Sequence, residues 1–160
     1  MKTFYFLFLI AIASCNPSGF KGLSRGIKKD CFDNKAAVKN LDHHNRMKLF
    51  HDGKLSFLNL QSDTFFVMAK TRNQTGQRVY RIWNERGESN YSYTHPNLQT
   101  DESIQFSPRV TELIANWDTL TLRKEEANRP RTFHELTVQA VRVIVNEGKW
   151  QLSCLHFTEF

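Results

Sequence analysis

The sequence has no apolar run long enough to cross a bilayer as a helix, which requires about 20 residues. The longest apolar run in the sequence covers residues 4–13. It also has no internal repeat and no low-complexity tract. With 40% hydrophobic and 24% charged residues over 160 positions, the composition is that of an ordinary globular chain. We therefore exclude a multi-span membrane protein, a collagen-like chain and a mostly disordered chain, and we expect one domain.

Motifs that would identify an enzyme are missing as well. The sequence contains no Gly-x-Ser-x-Gly, no phosphate-binding loop and no dinucleotide fingerprint. It also contains no Cys-x-x-Cys and no His-Glu-x-x-His, so it carries no signature of a zinc ribbon, a thioredoxin-type site or a helical zinc site. We expect neither a metal nor a cofactor, and the sequence leaves the biochemical activity open.

Two groups of polar residues could still support chemistry. Histidines and aspartates stand together at residues 42–44 and 51–52, but their spacing matches no metal signature, so we expect surface histidines there. His134, Glu135 and His156 could act in acid–base catalysis only if the fold brings them together in a cavity. The sequence alone does not place them side by side.

The net charge of +6 is concentrated near the N-terminus. Residues 16–54 carry nine Lys or Arg and four Asp, a balance of +5, whereas residues 55–160 carry twelve of each sign. Nucleic-acid-binding proteins usually place their basic surface on the folded element that contacts the nucleic acid. Because the expected folded part is neutral, the charge distribution argues against nucleic acid as a partner.

The N-terminus has the form of an export signal. Residues 1–15 contain one lysine, the apolar run and a small residue before a cysteine. The sequence Ile12-Ala13-Ser14-Cys15 resembles the lipobox of bacterial lipoproteins. In that family the cysteine thiol is joined to diacylglycerol, the leader is removed before the cysteine, and the new amino terminus is often acylated.

This resemblance implies where the mature protein lies. Removal of residues 1–14 would leave Cys15 as a lipidated first residue, with palmitate-type chains anchoring the protein to a membrane. Asn16 rather than Asp follows the cysteine, which in this family implies the outer membrane, and we expect the periplasmic side. The alternative is a cut after Ala13 by ordinary signal peptidase, which would give a secreted protein.

The three cysteines allow a simple interpretation. If Cys15 is lipidated, Cys31 and Cys154 remain in an oxidising compartment and could form one disulfide bond. Such a bond would join the start of the domain to its last strand, and a loop of this length is credited with roughly 4–5 kcal/mol. The alternative is two separate buried thiols.

The rest of the N-terminal quarter divides into a tether and the start of the domain. Residues 15–32 contain proline, three glycines and basic residues, which favours an extended tether whose charges lie near anionic head groups. A solvated flexible leader is the alternative. We expect a single β-rich domain over residues 33–160, with a short helix at residues 33–48.

Hairpins dominate the expected domain. Asp-Gly at residues 52–53 predicts a turn between apolar flanks within residues 49–57. Residues 65–71 and 78–84 flank a turn sequence and predict a second hairpin. The clearest signal is the last, in which residues 136–145 are rich in β-branched side chains and residues 150–157 return after Asn-Glu-Gly-Lys.

The intervening segments are less uniform. Residues 91–95 and 103–106 alternate in polarity and predict strands. Residues 107–117 combine a Ser-Pro cap with apolar residues at helical spacing, but their composition also allows a strand. Leucine alternates with threonine at residues 119–122, as in a strand, and residues 123–131 are polar and turn-like.

These elements predict an α+β fold, a mostly antiparallel curved sheet with one or two short helices, with a small β-barrel as the alternative. The closing hairpin, with Glu147-Gly148-Lys149-Trp150 at its turn, resembles the end of nuclear-transport-factor-2-like domains. This resemblance implies a curved sheet wrapped by helices around a cone-shaped pocket.

Aromatic side chains suggest a ligand face on the sheet. Tyr91, Tyr93 and His95 alternate onto one strand face, and Tyr80 and Trp83 come from the strand before. Tyrosine and tryptophan combine an apolar body with a polar tip, which suits the lining of a binding pocket. The same pattern is also normal for half-exposed sheet packing.

Together these observations predict a lipid-anchored protein of the cell envelope with a non-enzymatic binding or interaction module. Its expected partners are membrane lipid, through Cys15 and the basic tether, and a protein or small ligand. The alternatives are a secreted, disulfide-bonded carrier of a small ligand and a small hydrolase or isomerase with a cone-shaped pocket.

Overall fold

A computed structural model describes residues 19–27, 31, 55–72, 74–94, 96–128 and 136–158. The predicted helix at residues 33–48 lies outside these ranges, as do the leader, Cys15 and the histidines at residues 43, 44 and 51. None of the helices within the described ranges is long and apolar enough to span a membrane.

Within the described residues, the chain forms five strands, three α-helices and two short 3-10 helices. The strands are β1 (Ser62–Arg72), β2 (Arg78–Asn84), β3 (Ser89–Tyr93), β4 (Leu136–Asn146) and β5 (Lys149–Thr158). The α-helices are α1 (Phe20–Ile27), α2 (Pro108–Ala115) and α3 (Thr119–Ala127), and the 3-10 helices cover Pro96–Gln99 and Glu102–Ile104.

The strands form one open antiparallel sheet in the order β3-β2-β1-β4-β5. This arrangement confirms the predicted α+β class with a mostly antiparallel sheet. The β-barrel alternative is wrong, because β3 and β5 are the two edges of the sheet and do not pair with each other.

Both long hairpins form where the sequence predicts them. β1 and β2 pair from Phe65 opposite Asn84 to Thr71 opposite Arg78. β4 and β5 pair along their whole length, and the turn between them consists of Glu147 and Gly148, both with positive φ. A two-residue turn with two positive φ values matches the right-handed twist of the flanking strands, and glycine adopts that conformation at little cost.

Alternate residues of the sheet point to two covered faces. The α1 face packs against α1 and the segment around Leu55 and Leu58. The α2–α3 face packs against α2 and α3. Buried residues of the α1 face are Leu23, Ile27, Leu55, Leu58, Phe65, Val67, Ala69, Tyr80, Ile82, Val141, Val143 and Val145.

Helix α1 corrects the picture of an extended tether. It lies within residues 15–32, where glycine and charge predict an extended chain, yet Leu23 and Ile27 are fully buried against the sheet. Their i, i+4 spacing places both side chains on one side of the helix. Burial of this apolar stripe outweighs the local cost of Gly22 and Gly26 within the helix.

Helix α2 settles the ambiguity at residues 107–117. Ser107 caps the helix by accepting a hydrogen bond from the backbone N–H of Val110, and Pro108 follows at its first position. Val110, Leu113 and Ile114 are buried against the sheet. The helical spacing of the apolar residues was therefore the decisive signal.

Three local predictions are wrong. Residues 103 and 104 belong to a 3-10 helix, and residues 103–106 do not form the predicted strand. Residues 55–57 form a turn instead of the second strand of a hairpin. Residues 119–127 form α3 instead of a strand and a turn, because Asp118 caps a helix by accepting from the backbone N–H of Thr121. The cap leaves Leu120 exposed and buries Leu122.

The predicted disulfide is present. Cys31 and Cys154 are bonded, with their Cα atoms 5.4 Å apart and a sequence separation of 123. Cys154 lies on β5 opposite Val141, so the bond closes the edge of the α1 face. The bond joins the chain just beyond α1 to the last strand of the sheet.

Candidate binding face

Three of the residues predicted to line a ligand face lie on the α2–α3 face of the sheet. The cross-strand register places Trp83, Tyr91 and Tyr93 there, and the rings of Tyr91 and Tyr93 stack with centroids 6.3 Å apart. Tyr80 instead points to the α1 face and is fully buried, because residues 80 and 83 are an odd number of positions apart on one strand. His95 lies outside the described residues.

An arginine that the sequence analysis did not single out stands among these aromatic rings. Arg81 lies opposite Tyr91 in the register of β2 and β3. The central carbon of its guanidinium is 4.8 Å from the ring centre of Trp83 and 5.3 Å from that of Tyr91. Its Nη1 donates to the hydroxyl of Thr111 on α2 at 3.4 Å. Two rings and one hydroxyl therefore fix the position of this cation.

A second arginine–aromatic stack lies two strands away on the same face. Arg142 of β4 places its guanidinium carbon 5.0 Å from the ring centre of Trp117, in the turn between α2 and α3. Arg142 is paired with Phe66 across the strands, and Phe66 stacks on Trp83 at 5.2 Å. The stacked pair of Phe66 and Trp83 thus joins the cross-strand neighbour of Arg142 to one of the rings that contact Arg81.

Trp117 has an uncommon backbone conformation for a bulky residue. Its φ is +51°, directly after the last residue of the α2 cap. The backbone N–H groups of Trp117 and Asp118 donate to the carbonyls of Ile114 and Leu113, which ends the helix with a Schellman arrangement. Glycine usually occupies this position, because the left-handed conformation costs other residues roughly 1–2 kcal/mol.

Neither Arg81 nor Arg142 has a carboxylate partner among the residues that the structure describes. The Nε atoms of Arg81 and Arg142 are buried and have no hydrogen-bond acceptor there. A buried donor without an acceptor carries a desolvation cost of about 1–3 kcal/mol. The face therefore presents two guanidinium groups whose hydrogen-bonding capacity is only partly used.

Polar groups beside the aromatic rings have structural roles. Lys70, a buried residue of β1, donates through Nζ to the backbone carbonyl of Gln105. The Gln105 side chain donates in turn to the carbonyl of Leu98 at 2.8 Å, which fixes the 3-10 segment over the sheet. Burial, followed by the neighbouring Tyr91, raises the pKa of Tyr93, so this phenol stays neutral.

The candidates for catalysis or metal binding do not meet in the described part of the chain. His156 is exposed on β5, where it pairs with Gln139 on the α1 face, opposite to the arginines. His134 and Glu135 lie outside the described residues. Among residues 19–27, 31, 55–72, 74–94, 96–128 and 136–158, no three His, Cys, Asp or Glu side chains form a metal-binding group.

The two arginines and Trp117 were missed by the sequence analysis, although a signal for one of them was present. Arg142 interrupts an otherwise apolar run in β4, and a charge in such a strand requires a specific environment. No sequence signal links it to Trp117, because the contact depends on how α2 ends. Searches against protein-family models, curated proteins and solved structures found no match.

Proposed function

We propose that this protein is a lipid-anchored component of the cell envelope whose folded domain binds a partner molecule. In this proposal Cys15 carries the lipid, residues 1–14 are removed, and the domain lies on the periplasmic side of the outer membrane. The domain acts as a binding module rather than as an enzyme. A secreted carrier of a small ligand is the competing function.

The disulfide between Cys31 and Cys154 is the observation that carries the proposal. A bond of this kind persists in oxidising compartments, which supports export of the protein. The chain has three cysteines, so the bond leaves Cys15 as the one cysteine outside it. That cysteine is the last residue of the lipobox-like sequence.

The α2–α3 face supports a binding role. Guanidinium groups keep their proton at every physiological pH and therefore suit the capture of anions better than proton transfer. Those of Arg81 and Arg142 are stacked on aromatic rings. A cation fixed in this way loses less conformational entropy when it binds a ligand than a mobile surface arginine does.

The position of α1 supports a domain held close to the bilayer. The helix begins at Phe20, five residues after Cys15, and five extended residues span at most about 18 Å. Because Leu23 and Ile27 are packed in the core, little of residues 15–32 remains to separate the domain from its anchor. In the anchored protein, the start of α1 would lie next to the membrane surface.

The proposal is tested by expressing the chain with its own leader in a bacterial host and measuring the intact mass of the mature protein. We expect a diacylglyceryl adduct at the amino terminus, and partition into detergent. Cys15→Ser should lack the adduct and remain either unprocessed or soluble. Cys31→Ser is the matched control, because it makes the same substitution at a cysteine outside the lipobox and should leave the protein lipidated.

The opposite outcome is also informative. A mature wild-type protein that begins after Ala13, or at Cys15, and carries no lipid would contradict the anchor and favour the secreted carrier. Membrane partition that is unchanged in Cys15→Ser would contradict the role of that cysteine.

A further inference from the structure

We propose that the α2–α3 face contains a phosphate-binding site, centred on Arg142 where it stacks on Trp117 and supported by Arg81 on the same face. This inference deepens the binding role proposed above by naming the chemical class of the ligand. It does not require the lipid anchor. The ligand is a phosphate group, either of a soluble phosphate ester or of a lipid head group.

Arg142 has hydrogen-bonding capacity that the described residues do not use. Its guanidinium has five N–H donors, of which the buried Nε has no acceptor in the described part of the chain, and no carboxylate there pairs with the group. Buried polar groups are hydrogen-bonded in the great majority of proteins, so an exception calls for a specific explanation. An external oxyanion that pairs with the guanidinium would compensate its charge, which no carboxylate of the described residues does.

The conformation of Trp117 also points to a binding site. The residue holds a left-handed backbone at the end of α2, and its ring lies 5.0 Å from the guanidinium carbon of Arg142. Glycine would satisfy the helix end without strain, but it could not hold the arginine. Strain concentrated at one residue that fixes the position of another is typical of binding sites.

The site is accessible from the edge of the sheet. Arg142 lies opposite Ser153 in the register of β4 and β5, and β5 is the last strand. The side chains of Arg142, Ile144 and Ser153 are only partly buried, and Gln151 is exposed. A ligand could therefore approach over β5 and meet both the guanidinium and the serine hydroxyl.

The spacing of the two arginines favours a ligand with more than one negative charge. Two strand spacings and an offset of two residues separate Arg81 from Arg142, which places their Cα atoms about 12 Å apart. This distance is similar to the Debye length at moderate ionic strength, which is about 10 Å. Both positive charges can therefore attract the same anion. The planar fork of arginine matches phosphate oxygens, and two nearby cations favour a dianion over a single carboxylate.

The experiment is a titration of the purified mature protein, labelled with ¹⁵N-arginine, with inorganic phosphate at constant ionic strength. The Nε–Hε resonance of Arg142 is assigned by its loss in Arg142→Gln. We expect this resonance to shift saturably with phosphate, and less with acetate. Shifts equal to those produced by sodium chloride would overturn the proposal.

Three variants add a quantitative test. Arg142→Gln should weaken phosphate binding about tenfold or more, because a hydrogen bond to a charged group is lost. Arg81→Gln should weaken it only a few-fold, because the second charge acts at a distance. The matched control is Arg123→Gln, which removes a charge from α3 that is already paired with Glu126 and should leave phosphate affinity unchanged.

Equal weakening by Arg142→Gln and Arg123→Gln would overturn the site, because only net charge would then matter. If Arg142→Gln does not fold, the wild-type titration and Arg142→Lys, which keeps the charge but loses the fork, test the same point. The lysine variant should bind several-fold more weakly than wild type, and unchanged binding would contradict the fork.

A vesicle arm separates the two sources of phosphate. Vesicles of phosphatidylcholine with and without phosphatidic acid are added to the protein, and the Arg142 resonance is followed in the same way. A response to inorganic phosphate without a further response to phosphatidic acid assigns the site to soluble esters. A stronger response to phosphatidic acid assigns it to a lipid head group. Neither result depends on the mass of the lipid adduct, so this site and the anchor can fail independently.

Discussion

The two faces of the sheet are built from neighbouring residues of the same strands, yet their surroundings differ in kind. The α1 face is lined by aliphatic and aromatic side chains, and a disulfide closes its edge. The α2–α3 face buries a similar apolar cluster, but it also holds Arg81, Arg142 and Lys70 among the rings. The buried cluster of the α1 face is therefore hydrophobic throughout, whereas the α2–α3 face places cations against its aromatic rings.

This difference indicates where selection for function acts. A charge in an apolar strand costs free energy unless its hydrogen bonds are satisfied. The buried cluster of the α1 face contains no charged residue, although Arg78 on the same side of β2 also has a buried Nε atom. The arginines of the α2–α3 face are distinguished by their stacking on aromatic rings without a carboxylate partner among the described residues, and a role in binding is the simplest explanation for them.

The strongest test of the comparison uses two adjacent phenylalanines. Phe65 faces α1 and Phe66 faces α2 and α3, and both are fully buried. Phe65→Ala and Phe66→Ala should each lower the free energy of unfolding by about 3–5 kcal/mol, as measured by urea denaturation. Under conditions where both variants fold, only Phe66→Ala should weaken phosphate binding, because Phe66 is the cross-strand neighbour of Arg142. Equal weakening of phosphate binding by the two variants would contradict the proposed difference between the faces.

Removal of the disulfide should have the next largest effect on stability, and it should act on the packing of the α1 face alone. The double variant Cys31→Ser and Cys154→Ser should lower the free energy of unfolding by about 2–4 kcal/mol, because the unfolded chain regains a long unconstrained loop. Reduction of the wild-type protein should lower its unfolding midpoint to that of the double variant. An unchanged midpoint in reducing buffer would show that packing of α1 does not need the bond.

The larger elements of this fold could be predicted from local pattern. The hairpins of β1 with β2 and β4 with β5 are marked by β-branched and aromatic residues around turn sequences. The Cys31–Cys154 pair followed from counting cysteines. Each of these predictions depends on a few neighbouring residues or on a choice among a few alternatives. None of them requires knowledge of long-range packing.

The missed features depend on contacts between distant segments. Helix α1 forms in a glycine-rich segment because Leu23 and Ile27 find a sheet that is built from residues far along the chain. For the same reason, only some residues of the candidate site could be predicted from the sequence. Trp83, Tyr91 and Tyr93 could be placed on one face by strand alternation, whereas the contact between Arg142 and Trp117 needs the register of the sheet and the end of α2.

A smaller effect should separate backbone strain from side-chain contact at Trp117. Trp117→Ala and Trp117→Gly both remove the indole from Arg142, but only glycine adopts φ near +51° without strain. The glycine variant should therefore be more stable than the alanine variant by about 1 kcal/mol in thermal unfolding. Both should bind phosphate more weakly than wild type. An alanine variant as stable as the glycine variant would contradict the strained end of α2.

The smallest effect concerns the start of the neighbouring helix and appears only in acid. The backbone N–H of Thr121 donates to Asp118, which lowers the pKa of that carboxyl, and the Thr121 side chain and the charge of Arg109 act in the same direction. Because the pKa is lower in the folded state, ionised Asp118 stabilises the protein above the ordinary pKa of aspartate, about 4, and this stabilisation is lost as the pH falls through the folded value. Asp118→Asn keeps an acceptor for the same N–H at every pH. Unfolding midpoints measured between about pH 2 and pH 6 should therefore fall less steeply in Asp118→Asn than in wild type, whereas identical slopes would mean that the cap of α3 does not depend on the charge.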